Sequence, residues 1–252
     1  TVIGANTWTV DFNNTSNTPV YPAGSIAEGG INSDYNYNSG KYDISLKGRT
    51  QSSYATENNK FITPKLHAAA GEQLTFDVKG AYGDSYYAKV YVSTDRKTWG
   101  EPVATFTYGE TEGAEAIGSS DWVNKAITFD TEGDSYVAFA LYGEFKIDNI
   151  IGLTKVDVAH DLYIKSVSWP DASIKSGSSQ IKPSVDIIPL TDEFAGNYTV
   201  KYIYGENVVN IDSKALTTSP SSTTSFTASF TPTVETTTTF PGSKIVFEFT
   251  DG

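Results

Sequence analysis

A chain of 252 residues with 38% hydrophobic and 13% aromatic side chains can bury a sizeable core, which excludes general disorder. Its formal net charge of -12 is spread along both halves, which argues against nucleic acid and against an anionic membrane surface as partners. It has no cysteine, which excludes disulfides and thiolate metal sites, and no methionine, so a processed or excised piece of a longer chain is expected.

No apolar run approaches the length that spans a bilayer, so no membrane insertion by this segment is expected. Early in the chain, Asp34-Tyr35-Asn36-Tyr37-Asn38 offers side-chain oxygens at alternating positions, as calcium loops do. The same alternation also fits an Asn-rich turn, and the glycine and glutamate of an EF-hand are missing. In GEQLTFDVKG, alternation puts Leu74, Phe76 and Val78 on one face and Thr75, Asp77 and Lys79 on the other. In SYYAKVYVS it separates Tyr86, Ala88, Val90 and Val92 from Tyr87, Lys89 and Tyr91. The run breaks at Ser93-Thr94-Asp95, where the Asp95 carboxylate is expected to cap the following amides in an Asx-type turn. Arg96 and Lys97 read as solvated turn residues. Trp99 reads as the start of the return path, and it and Trp122 are assigned to the core.

SYVAFALYG and FKIDNIIGL are apolar on both faces, as central sandwich strands are. Alternation pauses at KVDVAHD, which places a domain boundary between Thr154 and Leu162. Beyond it, DLYIKSVSWP, YTVKYIYG, SFTASF and KIVFEF are short alternating runs, and the Ser/Thr-rich stretch 217–239 reads as two polar-faced strands plus a loop. Many short strands with no helical period between them define an all-β chain of two sandwiches, residues 1–155 and 161–252.

The chemistry of catalysis is sparse. The two histidines, His67 and His160, fall at a strand approach and in the inferred linker, and neither local context supplies an orienting acid. Glu110, Glu112 and Glu115 lie among Gly and Ala in a stretch that reads as a solvated loop. Exposed tyrosine rings can stack on sugar faces. Tyr35 and Tyr37 in the Asn-rich stretch, and Tyr82 and Tyr87 beside a Gly-Asp turn, are the ligand-binding candidates.

KFITPKL (60–66), LTFDVKG (74–80), KVYVSTDRKTW (89–99), Asp121-Trp122, YVAFAL (136–141) and FKIDNI (145–150) follow one another in an order that resembles the choice-of-anchor J, or cleaved-adhesin-like, jelly-roll domain of Bacteroidetes secreted and surface proteins. Arg96-Lys97 stands where that family usually has glycines, and the N-terminal signature is reduced to Val10-Asp11-Phe12. HDLYI (160–164), FTPT (230–233) and FTDG (249–252) resemble the immunoglobulin-like, CARDB-type module that often follows.

The resemblance implies an N-terminal jelly-roll β-sandwich of galactose-binding or concanavalin-like appearance, then an immunoglobulin-like β-sandwich. It also implies a structural calcium between the N-terminal segment and the last strand, which points to Asp11, Asn13 and Asp148. Its function would be that of a non-catalytic, secreted or cell-surface adhesion module for a glycan or a host surface protein. A structural spacer and a carbohydrate-active hydrolase stay open as alternatives.

Overall fold

The computed structural model describes residues 6–38, 40–50, 59–83, 85–158, 161–168, 173–174, 184–190, 196–204, 206–216, 224–227, 238–239 and 244–251. Every element among the described residues is a β-strand, and the chain divides into two compact units, Thr1–Asp157 and Val158–Gly252. No helix among the described residues is long and apolar enough to cross a membrane.

Among its described residues the first unit contains thirteen strands: β1 (Thr7–Val10), β2 (Ile26–Ala27), β3 (Asn32–Asn38), β4 (Lys41–Lys47), β5 (Lys60–Ile62), β6 (Leu66–Ala68), β7 (Glu72–Lys79), β8 (Tyr87–Ser93), β9 (Ala104–Thr107), β10 (Glu115–Ala116), β11 (Val123–Phe129), β12 (Gly133–Tyr142) and β13 (Lys146–Lys155). One layer runs β11-β7-β13-β4-β3, with β1 also on β13. The other runs β10-β9-β8-β12-β5-β2. Strand β6 pairs with the start of β12 and the end of β13, so the two layers join into one curled sheet, the jelly-roll form of a β-sandwich.

Alternation decides what lies between the layers. Leu74, Phe76 and Val78 of β7 are fully buried and face Val90, Val137, Phe139 and Leu141 in one core cluster. Its aromatic centre is a chain of edge-to-face rings, Phe106 on Phe76 at 5.9 Å and Phe76 on Phe139 at 5.0 Å. The tryptophan of this core is Trp8 at 7% exposure, which alternates with Val10 on β1. Trp122 was expected there and instead is 42% exposed, because it precedes β11 on the side facing away from Val123 and Ile127.

The Asx-type turn forms as expected. The Asp95 carboxylate accepts the backbone N–H groups of Lys97 and Thr98, both at 2.8 Å, and the Ser93 hydroxyl at 2.9 Å. These bonds, from Thr98 and Lys97 first, hold the Asp95 carboxyl below the usual carboxylate range. A group lowered in this way stabilises the fold above its unfolded pKa and stops doing so as the pH falls. Asp95→Ala is therefore expected to lower the melting temperature at pH 7, and the gap to the parent protein should close as the pH drops below about 4. A gap independent of pH would show that the carboxylate charge is not what holds the turn. Arg96, at φ 60°, occupies the left-handed position where the resembled family has glycine. It is not simply solvated, since its guanidinium lies over the Tyr136 ring at 4.6 Å.

In the second unit, β14 (Leu162–Ser168), β16 (Ser184–Pro189) and β19 (Thr224–Thr227) form one antiparallel sheet. Strand β17 (Gly196–Tyr204) pairs along its length with β18 (Asn207–Leu216) and β21 (Lys244–Asp251) in a second. A short pair joins β15 (Ser173–Ile174) to β20 (Thr238–Thr239).

Candidate functional site

Strand β8 carries two opposite faces. Ala88 and Val90 enter the core, whereas Tyr87, Lys89 and Tyr91 point to the outer side of their sheet. Register extends that outer surface sideways. Tyr87 is paired with Tyr142 and Thr107, Lys89 with Ala140 and Thr105, and Tyr91 with Ala138. On β5, Lys60 is paired with Ala140 and Ile62 with Ala138. Ala138, Ala140, Ile62 and Tyr91 are buried yet stand outside the core cluster, so other chain segments cover this face.

The result is a cleft of about 650 Å³. Lys89, Tyr91 and Thr105 line it from the strands, Trp99, Glu101 and Pro102 from the β8–β9 connection, and Thr111 and Glu112 from the β9–β10 connection. That volume lies in the range of small-ligand sites. Trp99 is thus half-buried at a cleft wall and not a core residue, and Lys60 Nζ lies 5.0 Å from its ring centroid. The sequence places Lys89 and Tyr91 on the outward face but does not show that they line a cleft. The sign was a lysine between two tyrosines on one face of a strand whose other face is core.

The four tyrosines proposed from sequence are divided between the two layers. Tyr87 continues the outer face of β8, tilted on Tyr142 at 5.6 Å with Lys89 Nζ 4.9 Å above its ring. Tyr82, 73% exposed, leans on Tyr108 at 4.8 Å. Tyr35 lies on β3, half exposed and edge-on to Tyr42 at 5.6 Å, in the opposite layer. Tyr37 pairs with Tyr42 in the same hairpin, and its side chain lies outside the described residues, as does His160. The Asp34–Asn38 alternation is strand alternation and not a calcium loop. Asp34 is committed to Lys146 and, at 3.7 Å, to Lys47.

The proposed calcium residues lie in the layer opposite the cleft, Asp11 and Asn13 just after β1 and Asp148 on its partner β13. Asp148 of β13 is paired with Asp77 of β7. It is 8% exposed, and burial first, then the charges of Asp43, Asp11 and Asp77, push its carboxyl up to about 7 against a hydrogen bond from Asn149 N–H. Asp11 and Asn13 line a neighbouring pocket of about 440 Å³ with Asn149. Phe12 and Asn149 both hold positive φ there, 55° and 48°. A cation would suit this carboxylate-rich setting. Two features run against a ready-made cage. Among the described residues no three acidic or histidine side chains are grouped closely enough to hold a metal. Asn13 also spends its side-chain oxygen on the Ile44 N–H, and its own N–H donates to Asp11 Oδ1 at 3.1 Å.

His67 differs from its sequence reading. It lies within β6, with Nδ1 2.8 Å from Asp134 Oδ1 and Nε2 3.8 Å from Glu132. Among the described residues, the carboxyl groups that burial raises, Asp148 and Glu28, are both absent from the cleft lining.

No protein-family model and no curated protein sequence matches this chain. Solved structures similar to it include the CBM22-1 xylan-binding domain of Xyn10C from Paenibacillus barcinonensis, at 15% identity and TM-score 0.35, covering 60% of this chain and 95% of that one. The tandem CBM22-1-CBM22-2 structure of the same protein is similar at 12% identity and TM-score 0.36, covering 96% of this chain and 89% of that one. A cleaved adhesin domain of Lys-gingipain from Porphyromonas gingivalis is similar at 18% identity and TM-score 0.31, over 60% of this chain and 94% of that one. Likenesses at these scores carry no ligand and no site residue across to this chain.

Proposed function

We propose that this chain is a non-catalytic binding module of a secreted or cell-surface protein, and that it takes a neutral glycan in the β8–β9 cleft. The observation that carries the reading is the mixed lining of that cleft. Trp99 supplies a ring for a sugar face above the buried Tyr91, Lys89, Thr105 and Thr111 supply donors, and Glu101 and Glu112 supply acceptors. A neutral polyhydroxy ligand uses both kinds of group, whereas an anionic one would meet two carboxylates. The second unit serves as an immunoglobulin-like spacer. Asp11 and Asp148 would hold a structural calcium, completed by backbone or solvent oxygens, with Asn13 shaping the turn between β1 and Val20.

A glycan array, run with and without calcium, should identify bound neutral oligosaccharides. Trp99→Ala should then weaken binding by roughly tenfold or more, as loss of a stacking ring does at a binding centre. Tyr82→Ala serves as the comparison, because Tyr82 is exposed but lines no part of the cleft. Loss of binding in Tyr82→Ala with none in Trp99→Ala would move the site to the Tyr82–Tyr108 pair.

A further inference from the structure

Lys60 is an unusual lysine. It is 8% exposed, on the outer face of its sheet, where lysines normally reach water. Its position follows from register. Ala140 stands between Lys60 and Lys89, and the methyl of Ala140 leaves room for a long stem on either side. Lys89 takes part in the cleft lining, and Lys60 does not. Lys60 instead sets its ammonium 5.0 Å from the Trp99 ring centroid, so the indole meets the cation on one part of its surface and the cleft on another. Glu28 is the acid beside it. The Glu28 N–H donates to the Lys60 carbonyl at 2.8 Å, and the Lys60 charge acts on the Glu28 carboxyl.

We propose that Lys60 is a positioning residue for carbohydrate binding, its buried ammonium holding the Trp99 indole at the cleft wall so that the ring is presented to a sugar already oriented. A desolvated cation over an indole is the strong form of this contact. A ring fixed before binding also spares the ligand the cost of ordering it. The proposal rests on the reading of the cleft as a sugar site.

The test uses the full chain labelled with 5-fluorotryptophan, with the Trp99 fluorine signal assigned through Trp99→Phe. Lys60→Met keeps the stem and removes the charge, Lys60→Gln is a second neutral variant should the first not fold, and Lys60→Arg keeps the charge. The probes are xylan, glucomannan and mixed-linkage β-glucan, in affinity electrophoresis. The neutral variants should displace and sharpen the Trp99 signal alone, leaving the other three tryptophan signals in place, and weaken retention by roughly tenfold. Lys60→Arg should recover most of that loss. A Trp99 signal indifferent to the neutral variants overturns the proposal, and so does an affinity loss that Lys60→Arg leaves unrecovered. A Trp99 signal that responds to Lys60 but to none of the polysaccharides supports the clamp and overturns the sugar-binding reading beneath it.

Discussion

Phe139→Ala is expected to cost the first unit about 3–5 kcal/mol, while Trp99→Ala costs it no more than about 1–2. Phe139 is fully buried at the centre of β12 and packs edge-on to Phe76 at 5.0 Å, and its strand is covered on both sides. Truncation leaves a cavity between two sheets that share their backbone hydrogen bonds with several neighbours, so the site cannot collapse to fill it. For a unit of this length the loss corresponds to a fall in melting temperature on the order of 10 °C. Trp99 is half-buried on a connection and leaves no such void. Thermal melts of the two variants decide the matter. Equal losses would return Trp99 to the core, the place its size suggested.

The contrast marks where sequence reasoning ends. The two-residue period of β7 and β8 carried full information about which side chains enter the core, since alternation on a paired strand leaves only two choices. Leu74, Phe76, Val78, Ala88 and Val90 are therefore placed by pattern alone. Trp99 and Trp122 lie outside strands, where no period fixes a direction, and aromatic size was a poor substitute. Asp95 was legible because an Asx turn is a local device, closed within three residues.

The cleft needed information of another kind. Its floor comes from β8 and β9, its walls from two connections, and the cation behind Trp99 from β5, so neighbours in space are distant in sequence. Pairing of Ala140 with both Lys60 and Lys89 is a fact of register, and register appears in a sequence only when turn chemistry fixes it. The same limit applied to Asp148. Its own position could be singled out, but Asp77 and Asp43, which raise its carboxyl, arrive on other strands.

Asp148 yields the other large expected effect, on stability and its dependence on pH and calcium. In chelator, the folded chain holds the Asp148 proton up to about pH 7, whereas an unfolded aspartate releases it near the usual value of about 4. Between these limits the native state binds more protons than the unfolded one, so stability must fall as the pH rises from about 4 to about 7. The full displacement would amount to about 4 kcal/mol, an upper bound because solvent screens the part contributed by the exposed Asp11 and Asp43 carboxylates. Chelated protein should accordingly melt several degrees higher at pH 5 than at pH 8, and Asp148→Asn should remove most of that difference while raising the melting temperature at pH 8. Calcium acts on the same charge from the other direction. Bound only by the native state at one hundred times its Kd, it would add about 2.7 kcal/mol at pH 8 and little at pH 5, where the proton already occupies the carboxylate. Magnesium should not substitute, because it demands a tighter octahedral shell. Asp148→Asn should abolish the calcium response. Superimposable melts in calcium and chelator at pH 8, with the acid-side gain still present and lost in Asp148→Asn, would show a buried carboxylate without a calcium site. Loss of both effects would show that water reaches Asp148 freely and that its burial between β13 and β7 is looser than the packing around it.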